Sequence, residues 1–373
     1  MINKICFILP ELRLGGAEQN YIKVANWFSQ KNDFQVFFFF KKKSNNFSSE
    51  LNKKINKIYL YDNNFKNFFY IRKNLKNIKP NAVFTALSIS AICVLVKFTI
   101  KNQFKLITRL ATQITAQYNR MGIYNKFKFL LFIKLISFSN ILVAQSKDMS
   151  NDLVKYIGIQ KTKKIKVIYN PIVLEEILFK YNEEINLNKI KNNNFFYILF
   201  FGKFEKVKNI PLLIDFFKSL TFNKNKLRLI LLGEGSEIEK LKNLISKISL
   251  TNSVEIIETA YNPFPYIKLA DLIISTSYYE GYSNTLLESI IFEKLILVSD
   301  CPGGNKEILQ DYFEEFTFKM NGNRKNIIDN MIYKFEKIIR NKNKNTNKIN
   351  SLKSILIKRH DSNKIFREYE KLI

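Results

Sequence analysis

Histidine and cysteine are scarce in this 373-residue chain, which holds one His and three Cys. Cys6, Cys93 and Cys301 lie far apart with no paired spacing, so neither a zinc site nor a disulfide framework is indicated, and a reducing cytoplasm fits. Acidic residues are outnumbered as well, 32 against 60 basic ones, for a formal net charge of +28. Such a balance suits a polyanion, but the lysines are scattered through the whole chain. The densest basic stretch, residues 338–360, has no aromatic side chain to stack on bases, so nucleic acid is not expected. An anionic membrane surface or a phosphate-bearing substrate suits the charge better.

Long apolar runs are missing too. The opening MINKICFILPEL has an apolar stretch too short for a signal peptide and is broken by Pro10 and Glu11, so secretion is not expected. Residues 81–96 carry no charge, yet a membrane-spanning helix needs about 20 residues. They read instead as a buried strand AVFTA, a turn at Ser88 to Ser90 and a helix from Ala91.

What is present is core material, 46% hydrophobic and 14% aromatic residues, over a length that favours two domains. Short apolar segments alternate with helix-period segments, the pattern of α/β architecture with parallel sheets. The strands expected in the first half are KICFIL, FQVFFFF, KIYLY, AVFTA, KLITRL, ILVAQS and KIKVIY; in the second they are FFYILFFG, LRLILLG, VEIIE, LIIST and LILVSD. Residues 170–194, opened by Asn170 and Pro171, read as the boundary.

Ligands of open α/β sheets bind beyond the carboxyl ends of the strands. After the first strand, Gly15 and Gly16 precede a helix from Ala17 to Ser29, where exposed amides favour an anion. In the second half, Gly202 is followed by Lys203, Lys206 and Lys208, with Asn209 as an expected helix cap and Pro211 early in the helix. The stretch YYEGYSNTLLES sets Glu280 in a loop, Gly281 where backbone can approach a ligand, and Glu288 in the next helix. A carboxylate accepts two hydroxyl donors, as vicinal sugar hydroxyls present them. The architectural alternative is a capping box with Thr285 as N-cap and Glu288 bonding back to it.

Glu280 and Glu288, with seven residues between them, resemble the Glu-x7-Glu motif of the retaining GT-B glycosyltransferases of family 4. GKFEKVKN is similar to that family's Gly-Arg-Leu-x-x-x-Lys-Asn donor loop, with Lys203 where Arg is usual; LLGEGSEIEKL resembles its Gly-x-Gly strand end, and LRLGGAEQ its Gly-Gly loop. NPFPYIKLADLIIST and SDCPGGNKEIL resemble stretches of bacterial transferases that build envelope polysaccharide, lipopolysaccharide or lipid-linked oligosaccharide.

The resemblance implies two Rossmann-like doubly wound parallel-sheet domains facing a central cleft. An acceptor domain would span 1–175, joined by a C-terminal helix at 355–373, and a donor domain 190–350. Lys203 and Lys208 would hold the donor diphosphate with help from the Gly15 and Gly16 amides. Glu288 would take the ribose and Glu280 the donor sugar, while Gly281 and the amides of Tyr282, Ser283, Asn284 and Thr285 face sugar and phosphates. The expected donor is a UDP-sugar, used as substrate with no cofactor and no metal. The expected acceptor is a lipid-linked or envelope glycan.

The chain departs from the family in lacking a histidine in its first half. Arg109 is the nearest polar candidate there, and His360, on a basic run, is expected on the solvated surface. Because of that gap, a non-catalytic basic binding protein on the same scaffold is the alternative reading. Residues 124–140 interleave Lys126, Lys128 and Lys134 with Phe and Leu, either a basic helix lying on an anionic leaflet or a core helix. A peripheral position on the inner face of the plasma membrane would follow from the first.

Overall fold

The computed structural model describes residues 2–12, 15–42, 48–101, 104–183, 194–220, 226–258 and 262–373. The chain divides into unit 1, Met1–Pro171 with Ser362–Ile373, and unit 2, Ile172–Asp361. Part of the boundary stretch expected at 170–194, residues 184–193, lies outside the described residues.

Unit 1 is built on β1 (Asn3–Ile8), β2 (Phe34–Lys41), β3 (Asn56–Leu60), β4 (Ala82–Ala86), β5 (Lys105–Arg109), β6 (Ile141–Ala144) and β7 (Ile165–Val167). All pairs are parallel, in the order β3-β2-β1-β4-β5-β6-β7. Its first helices are α1 (Gly16–Ser29), α2 (Asn64–Ile78), α3 (Ile89–Phe98), α4 (Ile114–Asn119), α5 (Ile123–Ile136) and α6 (Lys147–Ile157). Strands covered on both faces need no polar alternation, which is why β2 reads FQVFFFFK. Phe7 sits at the centre of this core, stacked on Phe84 at 4.9 Å and on Phe38 at 5.6 Å between ring centroids. The uncharged stretch 81–96 is β4 and most of α3. Among the described residues, no helix is long and apolar enough to cross a membrane.

Unit 2 repeats the plan with β8 (Phe196–Phe201), β9 (Leu227–Leu232), β10 (Val254–Ile257), β11 (Leu272–Ser275), β12 (Leu295–Ser299) and β13 (Thr317–Phe318). Their order is β10-β9-β8-β11-β12-β13, again all parallel. Its helices are α7 (Leu174–Asn182), α8 (Ile210–Ser219), α9 (Ile238–Lys247), α10 (Phe264–Leu269), α11 (Asn284–Ile291), α12 (Asn305–Leu309), α13 (Phe313–Phe316), α14 (Arg324–Arg340) and α15 (Lys342–Arg359). The helix expected at 355–373 is two helices: α15 stays in unit 2, anchored by buried Ile349, Leu352 and Leu356, and α16 (Ser362–Glu370) belongs to unit 1. There α16 packs Tyr369 edge-on to Tyr21 and Phe84.

Each sheet is doubly wound, and its strand order reverses beside its first strand, at β1/β4 and at β8/β11. These switch points are where loops diverge from the carboxyl edge and leave room for a ligand.

Candidate functional site

At the β8/β11 switch point, a lysine from one loop meets a carboxylate from the other. Lys208 Nζ donates to Glu280 Oε1 at 2.6 Å, and Ser277 Oγ donates to the same oxygen at 2.6 Å. The pair is largely enclosed, with side-chain exposures of 21% and 12%. Both bonds fall on Oε1, and Oε2 of Glu280 accepts no hydrogen bond among the described residues. The two loops are also laced through backbone: Tyr278 N donates to Val207 O at 2.8 Å, and Thr276 Oγ1 donates to Lys208 O at 2.9 Å. Lys203 is half-buried, just past Gly202. Asn209 does not cap α8 with its side chain; it adopts a left-handed conformation (φ 49°), and Pro211 stands in the first turn as expected.

Glycines explain how closely these loops pack. A Cβ on Gly303 (φ +124°) would come within 1.9 Å of the Glu280 carbonyl oxygen, and one on Gly304 within 2.5 Å of the Tyr282 ring. Glu280 N donates to Pro302 O and Gly304 N to Gly281 O, both at 3.0 Å. On the other side, a Cβ on Gly233 would lie 1.9 Å from Gly202 O. The CPGGN and GEG motifs are thus the supports on which the Glu280 and Lys203 loops rest. NPFPY has a packing role: Asn262 Nδ2 donates to Lys180 O at 2.7 Å and so ties α10 to α7.

Two expectations are corrected. The N-cap of α11 is Ser283, whose Oγ accepts from Leu286 N at 3.2 Å, so Thr285 and Glu288 do not form a capping box. Thr285 lies in the first turn with its hydroxyl on Phe201 O at 3.3 Å, and Glu288, half-buried, falls a turn further along. Glu288 therefore takes no part in capping α11. His360 is fully buried instead of solvated, and its Nε2 shares a 2.8 Å hydrogen bond with the Tyr282 hydroxyl. No local pattern marks this contact, since 78 residues separate the partners. Beside Glu280, the Cys301 thiol is pushed up to about 12, first by burial and then by the Glu280 charge, so no thiolate forms there near neutral pH.

In unit 1, Gly15 is the N-cap of α1 and Gly16 its first residue. The buried Glu18 folds its carboxylate over Gly15, where a Cβ would lie 2.2 Å from Oε2. The helix start therefore already carries an acid. Arg109, at the end of β5, is 1% exposed and donates from Nη2 to Asn170 Oδ1 at 2.6 Å. Burial raises the pKa of Tyr369, while the charge of the nearby Arg109 guanidinium opposes the shift. Nε and Nη1 of Arg109 have no partner among the described residues.

The fold has solved counterparts. The crystal structure of Anabaena HepE in complex with UDP-glucose aligns with a TM-score of 0.80 over 99% of this chain and 98% of that one, at 15% identity. Residues 182–351 match the family described as Glycosyl transferases group 1, and residues 14–176 match Glycosyltransferase Family 4. The chain belongs to the family 4-like GT-B glycosyltransferases. Among curated members it is 27% identical over 252 residues to an uncharacterized glycosyltransferase of Methanocaldococcus jannaschii. It is 32% identical over 213 residues to the N-acetylgalactosamine-N,N'-diacetylbacillosaminyl-diphospho-undecaprenol 4-alpha-N-acetylgalactosaminyltransferase of Campylobacter jejuni. These matches take in 65% and 56% of this chain, and 61% and 55% of the two relatives.

Proposed function

We propose that the protein is a retaining glycosyltransferase moving a hexose or N-acetylhexosamine from a UDP-sugar to a lipid-linked or envelope glycan, without a protein-held metal. The observation that carries this reading is the Lys208–Glu280 pair at the β8/β11 switch point, a cation for a diphosphate beside a carboxylate oxygen open to sugar hydroxyls. The Campylobacter relative's name supports a lipid-linked acceptor, and the HepE complex supports a UDP-sugar donor.

In this mechanism Lys203 and Lys208 neutralise the departing diphosphate, and backbone amides from Gly281 to Thr285, running into the first turn of α11, add fixed dipoles that need no reorganisation. Glu288 takes the ribose hydroxyls. Glu280 orients the donor sugar, with Ser277 holding its carboxylate in place. The acceptor hydroxyl attacks on the face the phosphate leaves, and the leaving phosphate takes its proton, so the protein supplies no nucleophile.

Incubation with a panel of UDP-sugars is expected to release UDP and raise the thermal midpoint; silence toward every nucleotide sugar would leave the non-catalytic scaffold reading. Calorimetry dissects the site further. Lys208→Ala is expected to weaken UDP binding about tenfold or more and leave uridine binding nearly unchanged, because the lost partner is a phosphate. Glu288→Gln is expected to weaken both equally, through the ribose. Equal losses in Lys208→Ala would contradict diphosphate contact.

A lipid-linked acceptor calls for a membrane surface, and we propose that α5 meets it from the cytoplasmic side. Only Ile133 and Ile136 of this helix are buried, while Ile123 is 90% and Phe127 70% exposed, with Tyr124 and Leu131 exposed beside them. Lys126 and Lys128 flank these side chains and supply the charge an anionic leaflet attracts. Phe127→Glu with Leu131→Glu is expected to abolish co-sedimentation with vesicles containing anionic lipid. Unchanged co-sedimentation would rule out this face.

A further inference from the structure

The one histidine is not near the sequence motifs, yet it holds one of them. His360 caps the end of α15, with its amide donating to Leu356 O at 2.9 Å. Its ring reaches the Tyr282 hydroxyl at 2.8 Å, and both side chains are buried. A phenol and an imidazole removed from water each need a partner, and here each satisfies the other. Tyr282 follows Glu280 and Gly281, and its ring is pressed by the Gly304 backbone. Arg359, the preceding residue, donates from Nη1 to Glu307 O at 2.8 Å, so the end of α15 also grips α12, the helix that follows the loop after β12.

His360 also stands where the chain passes between units. Ile172, the first residue of unit 2, donates its amide to His360 O at 2.8 Å, and Ile172 pairs as a parallel bridge with Asp361, the last. Both crossings of the chain are therefore tied to each other, and through one imidazole to the loop carrying Glu280.

We propose that His360 is a positioning residue for glycosyl transfer. Through Tyr282 it fixes the Glu280–Ser283 loop in the register that presents Glu280 to the donor sugar, and it links donor occupancy of that loop to the two chain crossings. This rests on the glycosyltransferase reading of the same site. His360 touches neither sugar nor phosphate, so its loss acts on geometry, and a displacement of about 1 Å at the reacting centre costs on the order of 100-fold in rate.

The test combines steady-state kinetics with hydrogen exchange in the full-length protein and its Tyr282→Phe, His360→Ala and His360→Gln variants. Tyr282→Phe and His360→Ala are expected to lower kcat about tenfold or more while UDP affinity stays within about threefold. His360→Gln, which keeps a group able to bond the phenol, is expected to recover part of the loss. In the wild type, a UDP-sugar is expected to slow exchange at 278–284 together with 170–174 and 358–361; in Tyr282→Phe only the first segment responds. Variants that lose thermal stability but keep wild-type kcat and the coupled exchange pattern would overturn the proposal, leaving His360 as packing. A wild type unresponsive to every UDP-sugar, in turnover and in exchange, would bring down the functional reading and this inference with it.

Discussion

Glu280→Gln is expected to reduce glycosyl transfer by about 100- to 1,000-fold while UDP binding is kept or strengthened. The substitution preserves shape and an acceptor oxygen, so Ser277 and Lys208 can still bond at that position. What it removes is the negative charge that neutralises Lys208 across 2.6 Å and, on the proposed reading, the second carboxylate oxygen that takes the sugar hydroxyls. Freed of its counter-charge, Lys208 is a stronger partner for a diphosphate. The transition state loses a group that holds the sugar as positive charge grows at its anomeric carbon. Rate and affinity should therefore move in opposite directions, which a general loss of folding cannot produce. Turnover with the preferred UDP-sugar and calorimetry with UDP check it together. If transfer persists, Glu280 is only an ion-pair anchor for the Lys208 loop.

Gly303→Ala is expected to be among the most damaging single methyls in unit 2. Its φ of +124° is a conformation that side chains rarely adopt, and the added Cβ would meet a backbone carbonyl at 1.9 Å, not the end of a flexible side chain. The obstacle is Glu280 itself, so relief of the clash must move the site. A loss of about 2–4 kcal/mol is expected, a fall in Tm on the order of 5–12 °C, with transfer nearly abolished even where the protein remains folded. Gly122→Ala is the control, because a Cβ there meets nothing within 4 Å, and it should cost no more than about 1 kcal/mol, the penalty of alanine for glycine at the N-cap of α5. Thermal melts and turnover on the two variants make the comparison; similar behaviour would mean that the loop after β12 does not support the site.

Much of the fold was legible because doubly covered parallel strands leave continuous apolar runs, and twelve strands were read that way. The edge strand Thr317–Phe318 was not, since two residues carry no pattern. Lys208 and Glu280 stood out because each follows a strand at the carboxyl edge. Their ion pair did not, because it depends on β8 and β11 becoming neighbours although β9 and β10 lie between them in sequence. Thr285 was misread as a cap because two hydroxyl residues competed for the position, and the extended backbone of Ser283 (ψ 104°) decides it. His360 was misplaced for a tertiary reason. Its neighbours Lys358 and Arg359 suggested solvent, whereas the end of α15 is packed against the Tyr282 loop. The apolar side chains of α5 were visible, but sequence could not show that most of them stay outside the core.

A crystal structure with UDP bound tests the central claim most directly. The account predicts the diphosphate between the loops that follow β8 and β11, within hydrogen-bonding distance of Lys208, with the ribose hydroxyls on Glu288. A nucleotide seated elsewhere, with the Lys208–Glu280 pair undisturbed and untouched, would contradict it.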